Sequence, residues 1–302
     1  MRIVATAADL PHAVATALAH PGAGKPGAVV ASGTTWPTIS WGRETDPPIL
    51  LVHGVTSNAG IWWRIGPALA AAGRHVIAVD MPGHGTSAGS RHQAGPPGVP
   101  EPAPRSHRFI DTATELAAFI RTAGLDRPDL AVVGHSWGGM VSAHLPAAGL
   151  APRTLILVDP PALTLGRLRA HTEAPTERDY STLEAATAAV RATNPTWTDG
   201  DVEAKARALT EFNVQLVIDV LLRNGNWDAG MAALRHPAAA RSSVWLIKGE
   251  WANGGLIPDS RARRTEVQLG AEHVITIAGG PHSPQRTHPE ATLVAILRAL
   301  EA

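Results

Sequence analysis

Five short runs limit what this chain can fold into. PILLV (48–52), HVIAV (75–79), LAVVG (130–134), TLILV (154–158) and SVWLI (243–247) are apolar almost throughout. A strand with one solvated face would alternate with polar residues; these strands must be covered on both faces. TWPTISWG (35–42) and EHVITIAGGPH (272–282) add further strand signals. Between the strands lie helical patterns: IWWRIGPALAAAG (61–73), a stripe of Ile110, Ala113, Ala117 and Ile120 stopped by Gly124, and a closing helix with Leu293, Ile296, Leu297 and Leu300. Strands alternating with amphipathic helices predict an α/β protein with a mostly parallel central sheet and helices on both faces. A chain of 302 residues is long enough for one large core carrying an inserted subdomain.

Two segments interrupt that rhythm. Residues 89–107 are rich in Pro and Gly and read as a loop. The interval 164–236 contains no strand signal. Its longest pattern, about 201–223, puts Val202, Leu209, Phe212, Leu216 and Val220 on one helical stripe. An excursion of this kind between two sheet strands reads as a helical cap over the sheet's carboxyl edge, where ligands bind in open α/β sheets. The expected division is a core of 28–163 and 237–302, a cap of 164–236, and a loosely held N-terminal extension of 1–27.

The stretch DLAVVGHSWGGMVSAH (129–144) carries the chemistry. A strand ends on Ser136, crowded by Gly134, Gly138 and Gly139, and a helix of small residues follows. The pattern G-x-S-x-G in this context is a strand-to-helix elbow that exposes the serine hydroxyl above the sheet. A serine hydroxyl needs a base to become a nucleophile. Among 14 histidines, His282 is selected because it follows the last strand and returns to the sheet's carboxyl edge. His288 reads as a helix-start residue, and His135 as structural, its side chain diverging at the elbow.

These residues, with HG (53–54), DMPGHGTS (80–87), GHSWGG (134–139) and GGPHS (279–283), resemble the α/β-hydrolase family over 36–163 and 237–302. The resemblance implies an oxyanion hole from the backbone N–H groups of Val55 and Trp137. It also implies an acid that holds His282, and here the chain departs from the common pattern. Ala252 stands where many relatives carry aspartate after the seventh strand. Glu250 at the end of that strand is the favoured acid, with Asp159 after LILV as the alternative. Dehalogenases and epoxide hydrolases of the family carry aspartate at the elbow, so Ser136 points to acyl transfer to water.

The expectation is a serine hydrolase that cleaves a carboxylic ester or lactone of an apolar small molecule and needs no cofactor or metal. A slow-turnover ligand receptor and an acyltransferase or perhydrolase are the alternatives. Trp62, Trp63, Trp197 and Trp227 are candidate substrate-binding residues, while Trp36, Trp41 and Trp245 read as core. GHGTSAG (83–89) and PGAGKPG (21–27) lack the spacing of nucleotide loops. Lys plus Arg equals Asp plus Glu at 26 each, which gives no electrostatic case for nucleic acid or an anionic membrane surface. No cysteine is present, so disulfides and thiolate chemistry are excluded. Asp9, Pro11 and His12 interrupt the apolar N-terminus, so no signal peptide is expected and a cytoplasmic location is.

Overall fold

The apolar runs form the strands expected of them. A computed structural model describes residues 1–88, 106–175 and 177–302, so the loop expected over 89–107 lies outside the described residues except at its end. The strands are β1 (Arg2–Ile3), β2 (Lys25–Ala31), β3 (Thr34–Trp41), β4 (Pro48–Val52), β5 (His75–Val79), β6 (Ala131–His135), β7 (Thr154–Val158), β8 (Ser243–Lys248) and β9 (Val274–Ile277). They form one sheet in the order β1-β9-β8-β7-β6-β4-β5-β3-β2. Every neighbouring pair is parallel except β3 with β5 and β2 with β3.

The helices are α1 (His12–Ala19), α2 (Ile65–Ala71), α3 (Phe109–Thr122), α4 (Trp137–Ala143), α5 (Leu165–Glu173), α6 (Leu183–Thr193), α7 (Asp199–Thr210), α8 (Val214–Arg223), α9 (Asp259–Leu269), α10 (Pro284–Thr287) and α11 (Pro289–Glu301). Successive strand residues point to opposite faces, and the burial pattern follows that rule. Leu50, Val52, Val132, Leu155, Leu157 and Leu246 enter one core with α3, α4 and the cap helices. Ile49, Leu51, Val133, Ile156, Val158 and Ile247 enter the other with α1, α2 and α11. Both faces are thus covered. No helix among the described residues is long and apolar enough to cross a membrane.

Three sequence expectations are corrected. Residues 1–27 are not a loose extension. β1 adds a parallel strand beside β9, where the Thr276 N–H donates to the Met1 carbonyl at 2.7 Å. Ile3, Leu10, Val14 and Leu18 are buried, the last three at helical spacing. The pattern over 61–73 is broken into a 3-10 turn, Ala59–Trp62, and α2. The long cap helix over 201–223 is two helices. Asn213 interrupts it: its side chain accepts the Leu216 N–H at 3.1 Å as N-cap of α8, and its own N–H donates to the Gly83 carbonyl at 3.2 Å. The stripe survives the break, and Val202, Leu209, Phe212, Leu216 and Val220 are all buried.

Candidate active site

The elbow after β6 depends on close backbone approach. Ser136 has φ 56° and ψ −123°, a left-handed conformation that L side chains rarely adopt and that costs about 1–3 kcal/mol. A Cβ on Gly134 would lie 2.5 Å from the Gly138 carbonyl oxygen, and one on Gly138 would lie 2.4 Å from that of His53. Only glycine lets α4 turn back so sharply against β6 and β4. The residue types of the motif are therefore fixed by the bend rather than by the reaction.

His282 Nε2 lies 2.9 Å from the Ser136 hydroxyl, and its Nδ1 lies 2.7 Å from Asp159 Oδ2. Asp159 is completely buried, also at positive φ (42°), at the end of β7. Its carboxylate accepts the Gly249 N–H at 3.1 Å and the Leu256 N–H at 2.9 Å. These two amides come from the loop after β8, so the loop that lacks an aspartate still orients the one on β7. With Asp159 accepting at Nδ1, the imidazole presents an unprotonated Nε2 to the serine.

Glu250 does not face His282, which corrects the favoured reading of the sequence. Its carboxylate pairs with Arg2 at 2.7 Å and accepts from the Asn253 side chain and the Gly279 N–H. Arg2 is the largest influence holding its carboxyl below the ordinary value. The strand end points Glu250 outward, towards β1 and away from the elbow.

The loop after β4 lies against Ser136. A Cβ on Gly54 would sit 3.1 Å from Ser136 Cβ and 3.5 Å from its hydroxyl. Two neutral histidines hold this loop from beneath. His53 Nδ1 donates to the Gly54 carbonyl at 2.8 Å, and its Nε2 accepts the Met81 N–H at 3.0 Å. His84 Nε2 donates to the Val55 carbonyl at 2.6 Å. Burial lowers the pKa of His53 to about 4 and that of His84 to about 3. Val55 and Trp137, the residues that the family resemblance assigns to the oxyanion hole, thus flank Ser136 on the loop and at the first turn of α4. His135, expected to diverge, instead packs with its ring tilted 5.0 Å from the His282 ring and donates to the His282 carbonyl at 2.9 Å. Burial, reinforced by His282, keeps it neutral.

Ser136 and His282 open into a cavity of about 400 Å³ beneath the cap. Trp197 and Trp227 line it; Trp62 and Trp63 do not. Trp62 is buried in the core under the sheet, and the Trp63 indole donates to Asp201 at 3.1 Å against the start of α7. Trp36, Trp41 and Trp245 are core residues, as expected.

The cavity is largely apolar but carries a charged cluster on its wall. Leu163, Leu168 and Leu221 share it with Glu177, Lys205 and Arg286. Lys205 bonds to Glu177 at 2.7 Å and to the Thr56 carbonyl and hydroxyl at 2.9 and 3.1 Å. The Thr56 hydroxyl also donates to Glu177. Burial is the largest influence and weighs against the Glu177 carboxylate, but Lys205, Thr56 and Arg286 together outweigh it and hold that carboxyl below its ordinary value. Lys205 had one sequence signal: it falls on the buried stripe of α7 between Val202 and Leu209, where a cation needs a partner. Among the described residues no group of three His, Cys, Asp or Glu side chains is placed to hold a metal ion.

Comparison with known proteins agrees with this architecture. A 115-residue stretch is 37% identical to the dihydrolipoyllysine-residue acetyltransferase component of an acetoin cleaving system of Pseudomonas putida, spanning 37% of this chain and 25% of that protein. A 180-residue stretch is 34% identical to lipase LipV of Mycobacterium tuberculosis, spanning 58% of this chain and 61% of that protein. The chain therefore spans less than two thirds of the length of either relative. The crystal structure of an E-2-(acetamidomethylene)succinate hydrolase superposes with a TM-score of 0.72 at 21% identity, over 92% of this chain and all of that one. Residues 47–216, more than half of the chain, match the family model for the alpha/beta hydrolase fold, and the chain belongs to the α/β-hydrolase family.

Proposed function

We propose that this chain is a serine hydrolase that cleaves a carboxylic ester or lactone of a small molecule through an acyl-enzyme. The observation that carries the reading is the hydrogen-bonded chain from buried Asp159 through His282 to Ser136. Ser136 Oγ attacks the carbonyl carbon while His282 Nε2 takes its proton, and Asp159 stabilises the imidazolium. The carbonyl electrons move onto oxygen, which in this reading accepts from the Val55 and Trp137 N–H groups that the family resemblance assigns to it. Collapse expels the alcohol, protonated by His282, and leaves the acyl group on Ser136. Water then attacks with His282 again as base, releasing the acid and restoring the serine.

A panel of p-nitrophenyl esters and lactones tests the proposal. The purified wild-type protein should turn over members of the panel, and Ser136→Ala should lower kcat by about 10⁴-fold or more without unfolding the protein. Wild-type-like turnover in a folded Ser136→Ala protein would falsify the reading.

A further inference from the structure

Arg286 lies on α10, one turn beyond His282, and lines the same cavity although only 6% of its surface is exposed. Its Nη1 is buried with no hydrogen-bond partner among the described residues. The guanidinium stacks on Trp197, 4.7 Å from the ring centroid. Stacking orients the plane, but it does not satisfy the in-plane N–H groups.

The nearby carboxylates are already engaged. Glu177 is held by Lys205 and Thr56. Asp201 accepts from the Trp63 indole and the Thr198 hydroxyl, and pairs with Arg64 at 3.8 Å. Asp201 and Glu177 both act on the Arg286 charge, but among the described residues neither makes an ion pair with its guanidinium. Arg167 and His171 also line the cavity and add no negative charge. The Trp227 indole N–H, also on the cavity wall, is buried without a partner. A buried guanidinium without a hydrogen-bonded anion is costly, and its planar fork matches a carboxylate.

We infer that Arg286 binds a free carboxylate of the substrate, so that the ester cleaved at Ser136 belongs to a molecule carrying a separate carboxylic acid. This deepens the serine-hydrolase reading and rests on it for the reaction, but not for the binding. Trp197 fixes the plane of the guanidinium, and the wall between Arg286 and His282 sets the spacing between acid and ester.

The test compares mono-4-nitrophenyl adipate with its methyl ester, which differs only in the neutralised carboxylate. Wild type should favour the free acid in kcat/KM by about tenfold or more, the range of a hydrogen bond to a charged group. Arg286→Gln should bring that ratio towards one, and Arg286→Lys should restore part of it. In parallel, calorimetry on Ser136→Ala should detect adipate binding that Arg286→Gln weakens by a similar factor. Cleavage of both esters without preference, or adipate binding indifferent to Arg286, overturns the carboxylate subsite while leaving the hydrolase reading intact. Adipate binding with no cleavage of either ester overturns the hydrolase reading and leaves the subsite standing. If Arg286→Gln does not fold, the preference of the wild type and the Lys variant still decide.

Discussion

At the residue scale, two carboxylates near the sheet's carboxyl edge have opposite environments. Asp159 is buried and touches His282; Glu250 is partly exposed and touches Arg2. Asp159→Asn should therefore lower kcat by about 10⁴-fold, because the amide favours the wrong imidazole tautomer. Glu250→Gln should keep turnover within a few-fold of wild type. Steady-state kinetics on both proteins, after circular dichroism confirms folding, checks the pair, and the reverse ranking would return the role to Glu250. Sequence could nominate both residues but not choose between them. A strand end shows which residues reach the edge of a sheet; it does not show whether the next peptide turns a side chain inward. The Ser136 elbow was legible because its glycines are demanded by local backbone contact. Arg286 was not, since nothing local distinguishes an arginine over a cavity from one in water.

At the element scale, the cap and the core meet through a charged joint. Lys205 on α7 bonds to the carbonyl of Thr56, next to Val55 on the loop after β4. The cap thus positions backbone that the proposed chemistry requires. Replacing Lys205 by Met together with Glu177 by Gln avoids stranding a buried charge. The double variant should lower kcat by about tenfold to a hundredfold, less than the loss of an oxyanion donor, with a smaller change in KM. An unchanged kcat in stopped-flow or steady-state assays would show that the loop holds itself. That 164–236 is helical was readable from its missing strand signals, and so was its buried stripe. Its break at Asn213 was not, because the N-cap there competes with an apolar pattern that runs through it.

At the scale of the whole molecule, three buried histidines make the folded state sensitive to acid. His53, His84 and His135 all have pKa values lowered chiefly by burial, to about 4 for His53 and about 3 for His84. The unfolded chain takes up their protons as pH falls through about 6.5, whereas the folded chain does not. Stability is thus greatest above that value, declines below it, and stops declining on this account only below the folded pKa values. At pH 5 the loss amounts to about 2 kcal/mol for each of His53 and His84. Urea denaturation at pH 7 and pH 5 measures it, and an unmoved midpoint would contradict the assignment of neutral, buried rings.

The pairing of β1 with β9 also has a consequence in time. Met1 and Val274, joined by a hydrogen bond, are 273 positions apart, so the first strand is synthesised long before its neighbour exists. Glu250 ties Arg2 to the Gly279 N–H just before His282, and the loop after β8 supplies the amides that orient Asp159. A nascent chain can bury much of its sheet while these contacts are still missing. On the proposed reading, Ser136 is therefore armed only once β9 and the His282 that follows it have been made, and a chain stopped before them would carry the serine without its base.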